Sequence, residues 1–155
     1  QTALQIGQDL NLERFFFLGN GPLFGLAQEV MLKMKEMSLS YSEAFHFLEF
    51  RHGPMSMVNN RSLIIGFTNK NTPSYPYEIA VFKDMQKLGG KTLAVGNIDK
   101  KSYGSDYLFD IGEKVPSPWI YPLYLPLIQL LACERSLAKG LNPDKPENLT
   151  AVVEL

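Results

Sequence analysis

Three charged residues, Glu29, Lys33 and Glu36, follow one another at spacings of four and three. At about 100° per residue a helix puts all three on one face. Two carboxylates flanking an ammonium in this way form either a solvated row of weak ion pairs or a place where a carboxylate exchanges protons with something bound beside it. A second run, Glu49-Phe50-Arg51-His52-Gly53-Pro54, sets a histidine directly before Gly-Pro. The chain must turn or loosen its helix there, so the imidazole can be presented outward; the alternative is a structural or surface histidine. His46, Glu49 and His52 are spaced by three, but they spread over about 120° of a helix, so with no fourth ligand and no His-Glu-x-x-His motif no metal site is expected. Cys133 is the only cysteine. It cannot form an internal disulfide, reads as a small buried core residue, and is compatible with a reducing, cytoplasmic setting.

These groups need elements to position them. Short apolar runs at 15–18, 63–67, 92–95 and 107–111 predict strands, and 40–45 is a further short extended segment. Longer amphipathic runs at 22–37, 46–58, 77–88 and 118–139 predict helices, with Gly89-Gly90 and Gly140 as stops. In the first of these helices Leu26, Ala27, Val30, Met31, Met34 and Met37 form the core arc beside the charged row. The alternation predicts an α/β fold, a doubly wound, flavodoxin-like parallel sheet with helices on both faces. Ligands bind such folds at the carboxyl ends of the strands, so the turn after the first strand matters. It reads Gly19-Asn20-Gly21-Pro22-Leu23-Phe24-Gly25, with Phe where a dinucleotide fingerprint needs its third glycine and no Ser or Thr hydroxyl to hold a phosphate. It is expected to be a tight turn with Pro22 at the first helical position. The tail 141–155 contains two prolines and is expected to wrap over the domain before ending in an extended run.

Fifteen basic against sixteen acidic residues leave a net charge of −1 on 155 residues. Nucleic-acid binding is not expected from so balanced a chain. A length of this order suits one domain with a self-sufficient core. The longest apolar stretch, 118–133, contains three prolines and falls short of the ~20 residues of a membrane span, so it is read as a buried, kinked helix. The chain opens at Gln1 inside a helical run, without Met or a signal pattern, and reads as a piece of something longer.

The helix Glu29-Val30-Met31-Leu32-Lys33-Met34-Lys35-Glu36 followed by Glu49-Phe50-Arg51-His52-Gly53-Pro54 resembles the sugar isomerase (SIS) domain family, most closely the second SIS domain of two-domain enzymes. Phe16-Phe17-Leu18-Gly19, Leu88-Gly89-Gly90, the run from Pro126 to Ala132, and the stretch from Gly140 to Leu149 with its Asn-Pro-Asp-x-Pro support the likeness in order and spacing. The resemblance implies that 1–155 is a single SIS domain, the C-terminal half of a longer two-SIS-domain protein. It implies chemistry on phosphorylated hexoses, as in glucosamine-fructose-6-phosphate aminotransferase, glucosamine-6-phosphate deaminases, fructosamine-6-phosphate deglycases and ketose/aldose isomerases. By position Glu36 resembles the general acid/base that moves a proton between C1 and C2, and His52 the group that assists ring opening. Lys33 matches a lysine lining the substrate site, and Glu29 a nearby acid of unspecified role. In relatives the histidine enters the neighbouring subunit's site, which implies a homodimer with a shared active site; no cofactor is implied. A raised-pKa carboxylate beside a histidine suits such a proton shuttle.

Two departures narrow the expectation. Aminotransferases of the family carry a Schiff-base lysine after Asn-Leu, whereas here no lysine follows Lys145. The first loop also lacks the phosphate clamp. The sequence therefore predicts a sugar-phosphate isomerase or deaminase acting on an amino-hexose 6-phosphate, incomplete as a lone domain, without nucleic-acid or membrane partners. The alternatives are the isomerase domain of a glutamine-fructose-6-phosphate aminotransferase and a non-catalytic sugar-phosphate sensor.

Overall fold

Strand β1 (Arg14–Leu18) is apolar at four successive positions because it lies inside a sheet covered on both faces. Alternate side chains serve different cores: Phe15 and Phe17 join one apolar cluster, Phe16 and Leu18 the other. In the computed structural model, which describes residues 1–99, 104–112 and 121–149, β1 is one of five parallel strands. The others are β2 (Tyr41–Phe45), β3 (Ser62–Asn69), β4 (Lys91–Asn97) and β5 (Tyr107–Asp110). Their order is β2-β1-β3-β4-β5, so the chain winds one way from β1 to β2 and the other way from β3 onward. The switch point lies between β1 and β3, and the flavodoxin-like expectation holds.

Helices α1 (Thr2–Gln8), α2 (Pro22–Ser38) and α5 (Leu125–Ala138) cover one face, burying Ile6, Val30, Met34 and Leu131 against Phe15 and Phe17. Helices α3 (Phe47–Phe50) and α4 (Tyr75–Lys87) cover the other, burying Phe47, Phe50, Phe82 and Met85 against Phe16. This division follows from topology. The β1-to-β2 and β2-to-β3 crossovers run in opposite directions across the sheet, and right-handed crossovers then put their helices on opposite faces.

The predicted strands stand within one or two residues of their expected bounds, and 40–45 holds the edge strand β2. Helix α4 starts at Tyr75, not 77, because Pro76 fits the first turn, where its missing N–H costs nothing. The expected helix over 46–58 is corrected: α3 has four residues, and a 3-10 turn at Pro54–Met57 follows. Continuing as α-helix would place the Pro54 ring against the carbonyl of residue 50. The last helical run divides into a 3-10 turn at Tyr121–Tyr124 and α5, while 118–120 lie outside the described residues. Nor is it wholly buried: Leu130 and Leu137 are exposed, and Cys133 is half-buried, because only the stripe Ile128, Leu131, Ala132, Arg135 and Ser136 faces inward.

Arg135 is 4% exposed and anchors the amino ends of the strands. Its Nε donates to Ser40 Oγ (2.9 Å), its Nη1 to the Asp9 carbonyl (3.0 Å) and its Nη2 to the Leu12 carbonyl, while the guanidinium lies over the Phe15 ring. The tail through Leu149 has no regular element and comes back to the end of α2; its expected extended run lies outside the described residues. No helix among the described residues is long and apolar enough to cross a membrane.

Candidate active site

Gly21, with φ of 54°, turns the chain into α2, and Pro22 occupies its first turn. The helix buries Leu23, Ala27, Val30 and Met34, which leaves the Glu29, Lys33 and Glu36 row at the margin of that contact. Leu26, Met31 and Met37 of the expected core arc are only partly buried. Lys33 Nζ lies 3.5 Å from Glu29 Oε1 and 3.3 Å from Glu36 Oε2. The hydrogen bond to Glu36, and then the charges of both carboxylates, push the Lys33 pKa up against the opposing effect of burial. Lys33 and Glu36 are each 32% exposed, so the row is open enough to meet a solute. Beside it Glu36, Lys35 and Leu39 line a pocket of about 190 Å³ whose other wall is the tail, Glu147, Asn148 and Leu149.

His52 is exposed, as expected from its place before Gly-Pro, but on a turn rather than within a helix. Gly53 has φ of 143°, outside the range comfortable for side-chain-bearing residues. His46 and Glu49 are occupied by capping α3: the Glu49 carboxylate accepts the His46 N–H at 3.1 Å, and the His46 ring stacks on Phe24. Among the described residues no group of three His, Cys, Asp or Glu gathers as metal ligands would.

Glu29, Lys33 and Glu36 are thus brought together and His52 is not. Helix α2 belongs to one face of the sheet and the α3 segment to the other. Among the described residues the hydrogen-bond partner of Glu36 is Lys33.

Sequence reasoning missed Glu78. This residue is 2% exposed, at the start of α4 near the switch point. Its Oε1 accepts from Ser74 Oγ (2.7 Å) and Asn20 Nδ2 (2.9 Å), and Asn20 Oδ1 in turn accepts the Phe47 N–H (3.3 Å). Burial raises the Glu78 pKa against the effect of these bonds, and Oε2 has no hydrogen-bond partner. The turn after β1 is thereby fastened to a buried acid, an arrangement unsuited to a phosphate. The signal was an acid two residues after Tyr75-Pro76, which looks solvated if the helix is started at 77.

No model of a known protein family matches the chain. Glutamine–fructose-6-phosphate aminotransferase [isomerizing] of Methanothermobacter thermautotrophicus is 31% identical over 144 residues, 90% of this chain and 24% of that protein. A proposed tagatose-6-phosphate ketose/aldose isomerase of Clostridium novyi NT superposes with a TM-score of 0.84 at 29% identity, over 97% of this chain and 41% of the other. Glucosamine-6-phosphate deaminase of Thermotoga maritima superposes at 0.74 with 26% identity, over 99% of this chain and 45% of the other. The chain is similar along nearly its whole length to proteins of the sugar isomerase (SIS) family. The chain spans 22–24% of the length of the first three curated relatives it matches. It is of the kind found in sugar-phosphate isomerases and in the isomerase part of those aminotransferases.

Proposed function

We propose that this SIS domain supplies the acid/base residues of a sugar-phosphate isomerase or deaminase acting on an amino-hexose 6-phosphate. The observation that carries the reading is the Glu29-Lys33-Glu36 row beside the tail pocket, with His52 displayed on the opposite face. Glu36 takes the proton from C2, next to the open-chain C1 carbonyl, and returns it to C1 through the enediol or enolamine, while a proton passes from the C2 oxygen or nitrogen to the C1 oxygen; with an amino sugar, water then hydrolyses the C2 imine and ammonia leaves. Lys33 holds the Glu36 carboxylate in place and supplies positive charge where the carbonyl oxygen gains negative charge. His52 hands a proton to the ring oxygen as its bond to C1 breaks and the C1 hydroxyl gives up its own proton to become the carbonyl, and it does so in the site of a second copy. A pocket of about 190 Å³ is below the ~300–1,000 Å³ usual for small-molecule sites, which fits a site completed by a second copy. The phosphate is held by another domain of a longer, two-SIS-domain chain.

A second reading, the isomerase domain of a glutamine–fructose-6-phosphate aminotransferase, is favoured by the identity to such proteins. Against it, residues 146–155 contain no lysine to form a Schiff base with a ketose. The deciding experiment is proton exchange at C1 or C2 in deuterated water, followed by NMR, on the full-length protein with glucosamine 6-phosphate and a panel of hexose 6-phosphates. Exchange with ammonia release supports the deaminase, exchange alone the isomerase, and glutamine-dependent amination the aminotransferase. Sugar binding without exchange would make the domain a sensor and overturn the catalytic reading.

A further inference from the structure

The four residues of α3 cannot form a stable helix unaided, and Gly53 and Pro54 interrupt the chain just after His52. The direction of His52 must therefore be set from outside its own segment. Helix α4 holds that segment at two points. The Arg51 guanidinium, next to His52 in the chain, forms an ion pair with Asp84, whose other oxygen lies 3.3 Å from Lys87 Nζ. Arg51 holds the Asp84 carboxyl below its usual pKa. At the start of the segment Glu78 grips Asn20, and Asn20 receives the N–H of Phe47, the first residue of α3. Between these points the Phe47 ring packs edge-on against Phe82 of the same helix, with centroids 5.5 Å apart.

We propose that Asp84 and Glu78 are positioning residues for His52, acting through Arg51 and through Asn20 respectively. This rests on the reading of His52 as the ring-opening group. A misplacement of about 1 Å costs up to ~100-fold in rate, so loosening either tether should be read in catalysis before it is read in stability. An ordinary part-exposed ion pair would have no such effect.

The test uses the full-length protein carrying Asp84→Ala, Asp84→Glu or Asn20→Ala. Exchange is measured with cyclic glucosamine 6-phosphate and with an aldotetrose 4-phosphate, whose phosphorylated end leaves no ring to open. For Asp84→Ala and Asn20→Ala, kcat on the cyclic sugar is expected to fall about 10- to 100-fold with little change in KM, while exchange on the tetrose stays within about twofold. Asp84→Glu should recover most of the loss. Equal losses on both substrates would make the tethers merely structural, a rise in KM alone would make Arg51 a substrate-binding group, and no change would leave a surface pair; each overturns the proposal. Amide hydrogen exchange reads the same question without activity. Faster exchange confined to Phe47 through His52 in Asp84→Ala supports the tether even if the wild type fails to turn over a sugar, and unchanged exchange there overturns it.

Discussion

Glu36 and His52 stand on opposite faces of one five-stranded sheet, Glu36 on α2 and His52 just past α3. The crossovers that carry them leave β1 and β2 in opposite directions, so their separation is a property of the winding order rather than of side-chain choice. If both act on one sugar, the second group comes from another copy.

Subunit mixing tests this. Glu36→Gln and His52→Ala proteins should each be inactive, and unfolding and refolding them together should restore activity. Random pairing makes half of the dimers mixed, each with one intact site of two, so recovery should approach about a quarter of wild type. Failure to recover any activity from dimers shown to be mixed would refute the shared site.

Glu36→Gln keeps the shape of the side chain and loses its titrating oxygen. Proton exchange at C1 or C2 should fall by about 10²- to 10⁴-fold. Thermal unfolding should barely move, because the Lys33 pair it alters is partly exposed and worth only ~0.3–0.5 kcal/mol. An unchanged exchange rate would remove Glu36 from the mechanism.

Glu78 makes folding stability depend on pH in a stated direction. Its pKa is raised in the folded state, chiefly by burial, so the native protein binds this proton more tightly than the unfolded chain does. The associated stability is present below the ordinary value of 4.5 and is lost as pH rises through the higher folded value. Urea unfolding across that window should show a decline that Glu78→Gln flattens. A wild type whose other carboxylates are accounted for and which still gains stability there, equally with the variant, would contradict the assignment.

Gly66, in the middle of β3, leaves room for two rings. A methyl added there would run into both Phe47 and Phe82. Gly66→Ala should cost about 1–3 kcal/mol, measured as a lower urea midpoint at constant m-value, since the aromatic pair must give way to the new group. Relief of the loss by Phe82→Leu in the same chain would show that the crowding is the cause.

The sheet was legible because parallel strands buried on both faces read as unbroken apolar runs, as in Phe15 to Leu18 and Leu63 to Phe67. Helix ends were legible at Gly89 and Gly140, where φ is positive. The stretch after β2 was misread because Phe47 and Phe50 repeat at helical spacing and Pro54 comes only after the fourth residue of the helix; the proline, not the period, decided the outcome. The charged row was visible in its spacing alone. The buried acid was not, because what encloses Glu78 includes Asn20, 58 positions earlier, and a partner that remote leaves no local trace. The placement of Glu36 and His52 on different faces could have been deduced from handed crossovers once the strand order was supposed.

Arg135 bears on how this domain comes into being. Its donors reach Asp9, Leu12 and Ser40, so the turn after α1 and the loop before β2 are closed by a residue some hundred positions downstream. During synthesis, which proceeds from the amino end at roughly 5–20 residues per second, those carbonyls and the apolar flank of Phe15 wait for α5 to leave the ribosome. A nascent chain stopped before that helix would hold all five strands but leave part of one apolar face, including the flank of Phe15, uncovered. Chaperones should recognise such a stalled product, whereas the chain that includes α5 can close its amino-terminal third in one cooperative step.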